Sequence, residues 1–267
     1  MALVDMLHSA QSPVGHQFSP YTANGGSILA IAGDDYCIVA GDTRQSEGYN
    51  IQTRYKPKVF RLCVICSPSN DRATLATTGF NADAEALVAR VRERLEWYQY
   101  THGRDMPLHS IARMLSTILY SKRFFPYFVY NLLGGLDEQG RGAVYSYDPV
   151  GSYERVICNA SGAAQGLLMP FLDNQVMFKN LNVPGGGAPP EPGHLPLASA
   201  LQIALDGFTS ATERHIEVGD GVEVYVVRSP TSDASMLEQR GAVEACGVQA
   251  PQTPGAVVVI RSELKKD

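Results

Sequence analysis

Two residues in the first part of the chain combine reactive chemistry with placement. Asp42 closes the apolar run YCIVAGD, and Lys58 opens the run KVF just after Pro57. A carboxylate and an ammonium at neighbouring strand ends can support a nucleophile electrostatically, or can pair as a structural ion bridge. Taken alone, the pair reads as structural. Its setting adds something. The runs Ser27–Gly33 and Tyr36–Asp42 are separated only by Asp34-Asp35, which signals a tight hairpin. With those aspartates as the loop, paired positions sum to 69, so Gly33 opposes Tyr36 and Asp42 opposes Ser27. Gly26 and Asp42 then meet at one end of a hairpin.

Other candidates yield less. Gly25-Gly26 precedes a strand, whereas phosphate-binding loops place their glycines after a strand and before a helix, and no G-K-[ST] follows. Cys63-Val64-Ile65-Cys66 has the spacing of half a zinc site, but no second pair or nearby histidine completes it. On a strand the two sulfurs diverge to opposite faces, so core cysteines are expected. The histidines at 8, 16, 102, 109, 194 and 215 show no H-x-x-x-H pattern. Neither a metal nor a cofactor is expected.

The elements that must position these residues follow from periodicity. Strands are expected at Val59–Ile65 and Ala73–Thr78, then a helix N-capped by Asn81 with Ala84, Leu87, Val88, Val91, Leu95 and Tyr98 on one stripe. Pro107 starts a second helix with Leu108, Ile111, Leu115, Ile118 and Leu119 inward. Strands return at Phe128–Leu136, Ala143–Tyr147 and Tyr153–Cys158. Helices over roughly 163–178, with a kink expected at Pro170, and 197–214 come next. Val222–Arg228 and Ala256–Arg261 close the chain. Two helical pairs alternating with strand runs predict an α+β fold, two antiparallel sheets face to face with helices outside, in four αββα layers. VPGGGAPPEPG (183–193) and residues 229–254 carry no apolar periodicity and read as surface insertions.

Composition narrows the class. The chain has 267 residues, 45% of them hydrophobic, and a net charge of −5 with no basic run, which disfavours a nucleic-acid partner. The opening residues lack a basic stretch and a sustained apolar core, so no secretory signal is expected. No apolar stretch reaches the ~20 residues that span a bilayer, so no membrane association is expected. Five scattered cysteines suggest reduced thiols in an intracellular protein.

At this point the sequence resembles a known family. The hairpin GGSILAIAGDDYCIVAGDTR followed by KPKVF is similar to the β-type subunits of the proteasome core particle, members of the N-terminal-nucleophile hydrolase family. QFSPYTANGG (17–26), SKRFFPYFVYN (121–131), GLDEQGRGAVYSYDPVGSYER (135–155) and FLDNQVMFKN (171–180) look like the branch at the sixth β position. The likeness runs from Gln17 through most of the chain, apart from the two insertions and a stretch near Cys63–Asn70. It implies the αββα sandwich already inferred. It also implies a division into an N-terminal propeptide-like extension, 1–16, and one β-subunit domain, 17–267, with insertions at 181–194 and 229–254.

Active members of that family begin, once mature, with a threonine whose hydroxyl attacks the peptide carbonyl while its own α-amine takes the proton. An aspartate 16 residues on and a lysine 32 residues on support it. Here Asp42 and Lys58 stand 16 and 32 residues after Gly26. Both supports match; the nucleophile position holds glycine. Loss of a nucleophile costs on the order of 10⁶ in rate in a well-studied hydrolase. Active members also carry R-D-x-x-S-G after the last helix, where this chain has RHIEVG (214–219), so His215 and Val218 replace the aspartate and serine. Gly26, Asp42, Lys58, Ser161, His215 and Val218 are thus expected to form a vestigial active site, with no catalytic residue. Glycine cannot release its own propeptide, so trimming is expected near His16-Gln17 by an active neighbour.

The resemblance therefore implies a non-catalytic β subunit that helps enclose the proteolytic chamber. Its partners would be other α and β subunits of the proteasome, within a heptameric β ring and across to the opposite ring, with assembly chaperones as further candidates. The cytoplasm and nucleus are the expected location. Two alternatives stay open: an active hydrolase using Ser27, and a free-standing binding module. Ser27 is one residue late, and a one-residue shift on a strand reverses the side chain's face.

Overall fold

The first two strands are apolar on both faces, which suits only a position between two packed layers. In the computed structural model, which describes residues 21–62, 73–181, 190–228 and 257–266, β1 (Ser27–Ala32) and β2 (Tyr36–Asp42) are buried throughout. They pair in the expected register, Ile28 against Gly41 and Ala32 against Cys37. Chain order continues with β3 (Gln45–Glu47), β4 (Asn50–Thr53), β5 (Val59–Arg61), β6 (Ala73–Gly79), α1 (Asn81–His102) and α2 (Leu108–Tyr120). Then come β7 (Val129–Leu136), β8 (Gly142–Tyr147), β9 (Tyr153–Val156), β10 (Cys158–Gly162), α3 (Gln165–Gln175), α4 (Leu197–Thr212), β11 (Gly221–Arg228) and β12 (Val257–Glu263).

Two five-stranded antiparallel sheets result, ordered β10-β1-β2-β11-β12 and β5-β6-β7-β8-β9, with β3–β4 as a separate hairpin. The period of two in β1 assigns its faces. Leu29 and Ile31 join Leu168, Leu172, Leu201 and Phe208 of α3 and α4 in one core. Ile28 and Ala30 meet Ala76, Leu132 and Val144 of the opposite sheet in a second. Leu75 and Leu133 pack with Leu87, Val91, Ile111 and Leu115 of α1 and α2 in a third. Each fully buried Leu or Ile contributes about 1.5–3 kcal/mol. Three stacked cores make four layers, the αββα sandwich.

Several local expectations are corrected. The segment read as one strand, Tyr153–Cys158, splits at Ile157, so that β9 belongs to the second sheet and β10 to the first. β10 runs on to Gly162, so the following helix starts at Gln165 and ends at Gln175, inside the expected 163–178; Pro170 lies within it. Asn81 is the first residue of α1, not its cap. The preceding Phe80 is extended, and the Asn81 N–H donates instead to Asn24 Oδ1 at 2.8 Å. The β3–β4 hairpin has no counterpart among the expected elements, because its short polar strands carry no alternation. The strand expected over 59–65 is formed over 59–61 and has ended by Leu62; residues 63–65, with Cys63, and Cys66 beyond them fall outside the described residues. So do His16, Gln17, Cys246, residues 229–254 and 182–189. Cys37 and Cys158 are buried free thiols, and no helix is long and apolar enough to cross a membrane among the described residues.

Candidate functional site

β1 and β2 end side by side, which brings Gly26 and Asp42 together; Lys58 enters from the segment leading into β5. Asp42 is fully buried. Its Oδ1 accepts the Ser27 N–H at 2.7 Å and lies 3.3 Å from Lys58 Nζ, and its Oδ2 accepts the Arg44 N–H at 3.2 Å. Lys58 Nζ also donates to the carbonyls of Asp42 at 3.1 Å and Arg44 at 2.6 Å. An ammonium has three donors, and all three have acceptors here. Burial pushes the Asp42 carboxyl above its ordinary value and the Lys58 ammonium below its own, each opposed by attraction to the other.

Gly26 sits against this pair. Its N–H donates to Glu217 O at 3.1 Å, and its carbonyl accepts the Ala163 N–H at 2.9 Å. Gly25 and Gly26 both have left-handed backbones, with φ of 67° and 75°. A Cβ on Gly26 would overlap Lys58 Cε and come within 2.6 Å of Lys58 Nζ and 2.8 Å of Asp42 Oδ1. The lysine thus occupies the volume that a side chain at position 26 would need. The amide of Gly26 is an ordinary peptide N–H with a carbonyl partner, not a free amine.

The remaining expected residues divide. Ser27 is buried, and its Oγ accepts the Ala164 N–H at 2.8 Å, just before α3. That hydroxyl lies on the helix side of β1, as strand parity requires. Ser161 is half-buried on β10, opposite Ile28. His215 follows α4; its Nδ1 accepts the Glu217 N–H at 3.3 Å. Val218 is fully buried in the core under α3 and α4. Its side chain packs in that core and carries no hydrogen-bonding group. Glu217, between them in sequence, reaches the site through its backbone carbonyl. Among the described residues no group of three or more His, Cys, Asp or Glu side chains could hold a metal.

Sequence reasoning missed the buried charge network behind the site. Arg44, 1% exposed, donates through Nε to Asp220 Oδ2 at 2.7 Å and through Nη1 to Ile216 O at 2.8 Å, and Arg54 pairs with Asp220 Oδ1. Burial pushes the Asp220 carboxyl up, but Arg44 and Arg54 outweigh it and hold it below the usual carboxylate range. Asp220 itself has φ of 65°, where aspartate is better tolerated than most residues. The available signal was Arg44 emerging two residues after Asp42 from a buried strand. Its partner is 176 residues away, beyond the reach of pattern.

Comparison with known proteins bears on what the arrangement is. The model of the proteasome subunit family matches residues 22–186. The proteasome subunit beta type-6 of Saccharomyces cerevisiae is 49% identical over 222 residues, covering 82% of this chain and 89% of that protein. The probable proteasome subunit beta type-6 of Schizosaccharomyces pombe is 49% identical over 79% of this chain and 92% of its own length. The proteasome subunit beta type-1 of Danio rerio is 48% identical over 80% and 85%.

Proposed function

The chain belongs to the proteasome subunit family and is a β subunit of the proteasome core particle, and on that premise we propose that it is a non-catalytic one. As such a subunit it assembles with other proteasome subunits. Its work in protein degradation would be geometric: completing a heptameric β ring, sealing the chamber wall, and contacting the opposite ring. Assembly chaperones and residence in the cytoplasm and nucleus belong to the same proposal.

One observation carries this reading. Lys58 Nζ and Cε fill the space that a side chain at position 26 would need, which supports reading that position as unable to carry a nucleophile. Acyl transfer needs an oxygen within about 3–3.5 Å of the carbonyl and a base beside it. Position 26 offers neither: glycine supplies no hydroxyl, and its nitrogen is a hydrogen-bonded amide. Asp42 and Lys58 then serve each other and the backbone rather than a reaction. Ser27 is a poor substitute, because its hydroxyl is buried on the helix side of β1 and held by Ala164.

The test is saturation of purified core particles with a peptide epoxyketone, which requires a neighbouring hydroxyl and free amine, followed by intact-mass analysis of every β chain. The expected outcome is adducts on active neighbours and none on this chain. An adduct at Ser27 would establish the hydrolase reading instead.

A further inference from the structure

At the turn end of the β1–β2 hairpin, about 20 Å along β1 from Gly26, lies a cavity of about 240 Å³. Ala32, Gly33 and Gly142 line it, together with Val156 and Ile157, where the chain passes from one sheet to the other. A further wall is a short strap, Pro192-Gly193-His194, just before α4. A Cβ built on Gly193 would lie 3.9 Å from Ile157 Cγ2, so the strap rests against the apolar side of the cavity.

Two side chains tie this segment down. Tyr36, buried in the core, donates its hydroxyl to the Leu195 carbonyl at 2.7 Å. His194 Nδ1 meets Asp34 Oδ2 at 2.8 Å, and its Nε2 lies 3.7 Å from Glu191 Oε2. The ties differ in kind. Burial raises the Tyr36 hydroxyl well above its ordinary value, so that tie does not change near neutral pH. His194 and Asp34 are each more than half exposed, and a surface bond to an imidazole is weak and charge-dependent. Beside the weaker tie, Gly193 has φ of 93°, a backbone that glycine adopts readily and that suits a hinge.

The surrounding charges set the direction of the response. Asp34 and Glu191 face the imidazole with negative charge. Arg141 and Arg155 also line the cavity, but Asp137 engages both, at 3.4 and 3.1 Å. Asp35, next in the turn, is paired with Arg228. The bond to Asp34 therefore raises the imidazole above its ordinary value of about 6.5, and Glu191 adds to it. The tie is complete below that ordinary value and is lost as pH rises through the raised one.

We propose that residues 190–195 form a pH-sensitive strap: the His194 imidazolium, held between Asp34 and Glu191, closes the cavity, and its neutralisation lets the Gly193 end swing away from Val156 and Ile157 while Tyr36 keeps Leu195 in place. A weak tie suits a contact that must break reversibly. Its loss should raise the open population by about 1.5–5-fold. The device lies at the opposite end of the hairpin from position 26, so it holds whether or not that site is catalytic.

The test uses the intact core particle with Val156→Cys as a near-isosteric reporter in the cavity wall. Its reaction with an aromatic disulfide reagent, which modifies thiols in acid as well as at neutral pH, is followed by peptide mass. Each rate is divided by that of the same reporter combined with His194→Ala, which cancels the thiol's own titration. The ratio should be about 0.2–0.7 near pH ~5.5 and rise toward 1 near pH ~8.5. Asp34→Asn should lift the acid-side rate to the His194→Ala level. A ratio that stays flat with pH, or an Asp34→Asn rate equal to the parent's in acid, would overturn the strap. If the reporter chain does not assemble, the Ile157 methyl resonance of otherwise native particles decides. It should titrate with a midpoint above about 6.5 and stay still in His194→Ala; a methyl that does not move in the native chain overturns the proposal.

Discussion

The two ends of the β1–β2 hairpin carry similar charges in opposite settings. At the Gly26 end, Asp42, Lys58, Arg44 and Asp220 are buried, and each is held by a partner. At the turn, Asp35 pairs with Arg228 at 2.9 Å and Asp34 with His194 at 2.8 Å, with both aspartates largely exposed to water. The difference is one of dielectric. In water such pairs are nearly neutral in free energy. Buried, an ion pair is costly to assemble and costlier to break, because the surviving charge has no solvent to turn to. The Gly26 end has thus become a place where polar groups hold the structure, whereas the turn only tolerates them.

The sharpest break in that comparison is Lys58→Met. It leaves Asp42 buried without its cation and should cost about 3–5 kcal/mol, read as urea unfolding of the full-length chain. A change under about 1 kcal/mol would place the two ends on equal terms. Asp220→Asn comes next. It removes charge-assisted hydrogen bonds from buried Arg44 and from Arg54, for about 1.5–3 kcal/mol near neutral pH.

The same residue predicts a pH response. A carboxyl held below its ordinary range contributes fully above the unfolded value of about 3.9, and that contribution is lost as pH falls through the folded value. The native chain should lose this stability on acidification below pH ~4, and the Asp220→Asn variant should lack that loss. The turn should behave in the opposite sense. The bond to Asp34 raises the His194 imidazole, so its contact is complete below the ordinary value of about 6.5 and is lost as pH rises through the raised one. Imidazole NMR shifts would show it; a midpoint below about 6.5 would contradict it.

Gly26→Ala should cost about 1–3 kcal/mol from its left-handed backbone alone, before Lys58 is displaced. Asp35→Asn at the turn should fall within about 1 kcal/mol. If it rivalled Gly26→Ala, burial would not be what separates the ends.

Much of the frame was legible in the chain. Strand parity and the Asp34-Asp35 loop set the hairpin register, and with it the meeting of Gly26 and Asp42. The buried stripes of α1 and α2 followed from 3.6-residue spacing, because both helices cover a sheet with one face. What escaped reading depends on distant partners. The change of sheet at Ile157 is decided by which strand lies alongside, not by local propensity. Asn24 caps a helix that begins 57 residues later. The β3–β4 hairpin had one usable signal, Gly48 in the turn, with φ of 58°. At the site, Asp42 and Lys58 alone read as an ion pair, which is how they are built. Only the family resemblance linked them to position 26, and no sequence pattern could show that Lys58 fills the space a side chain there would need.

The central claim is that the site has closed over its missing residue, and restoring that residue tests it most directly. Gly26→Thr should be produced in the full chain, assembled into core particles, and read by intact mass with and without epoxyketone. The account predicts a chain that keeps residues 21–25 and takes no adduct. Threonine at position 26 would collide with Lys58 and resist the left-handed backbone. A chain cleaved just after Gly25 and fully modified would show that Asp42 and Lys58 are still a working catalytic pair, and would contradict the account.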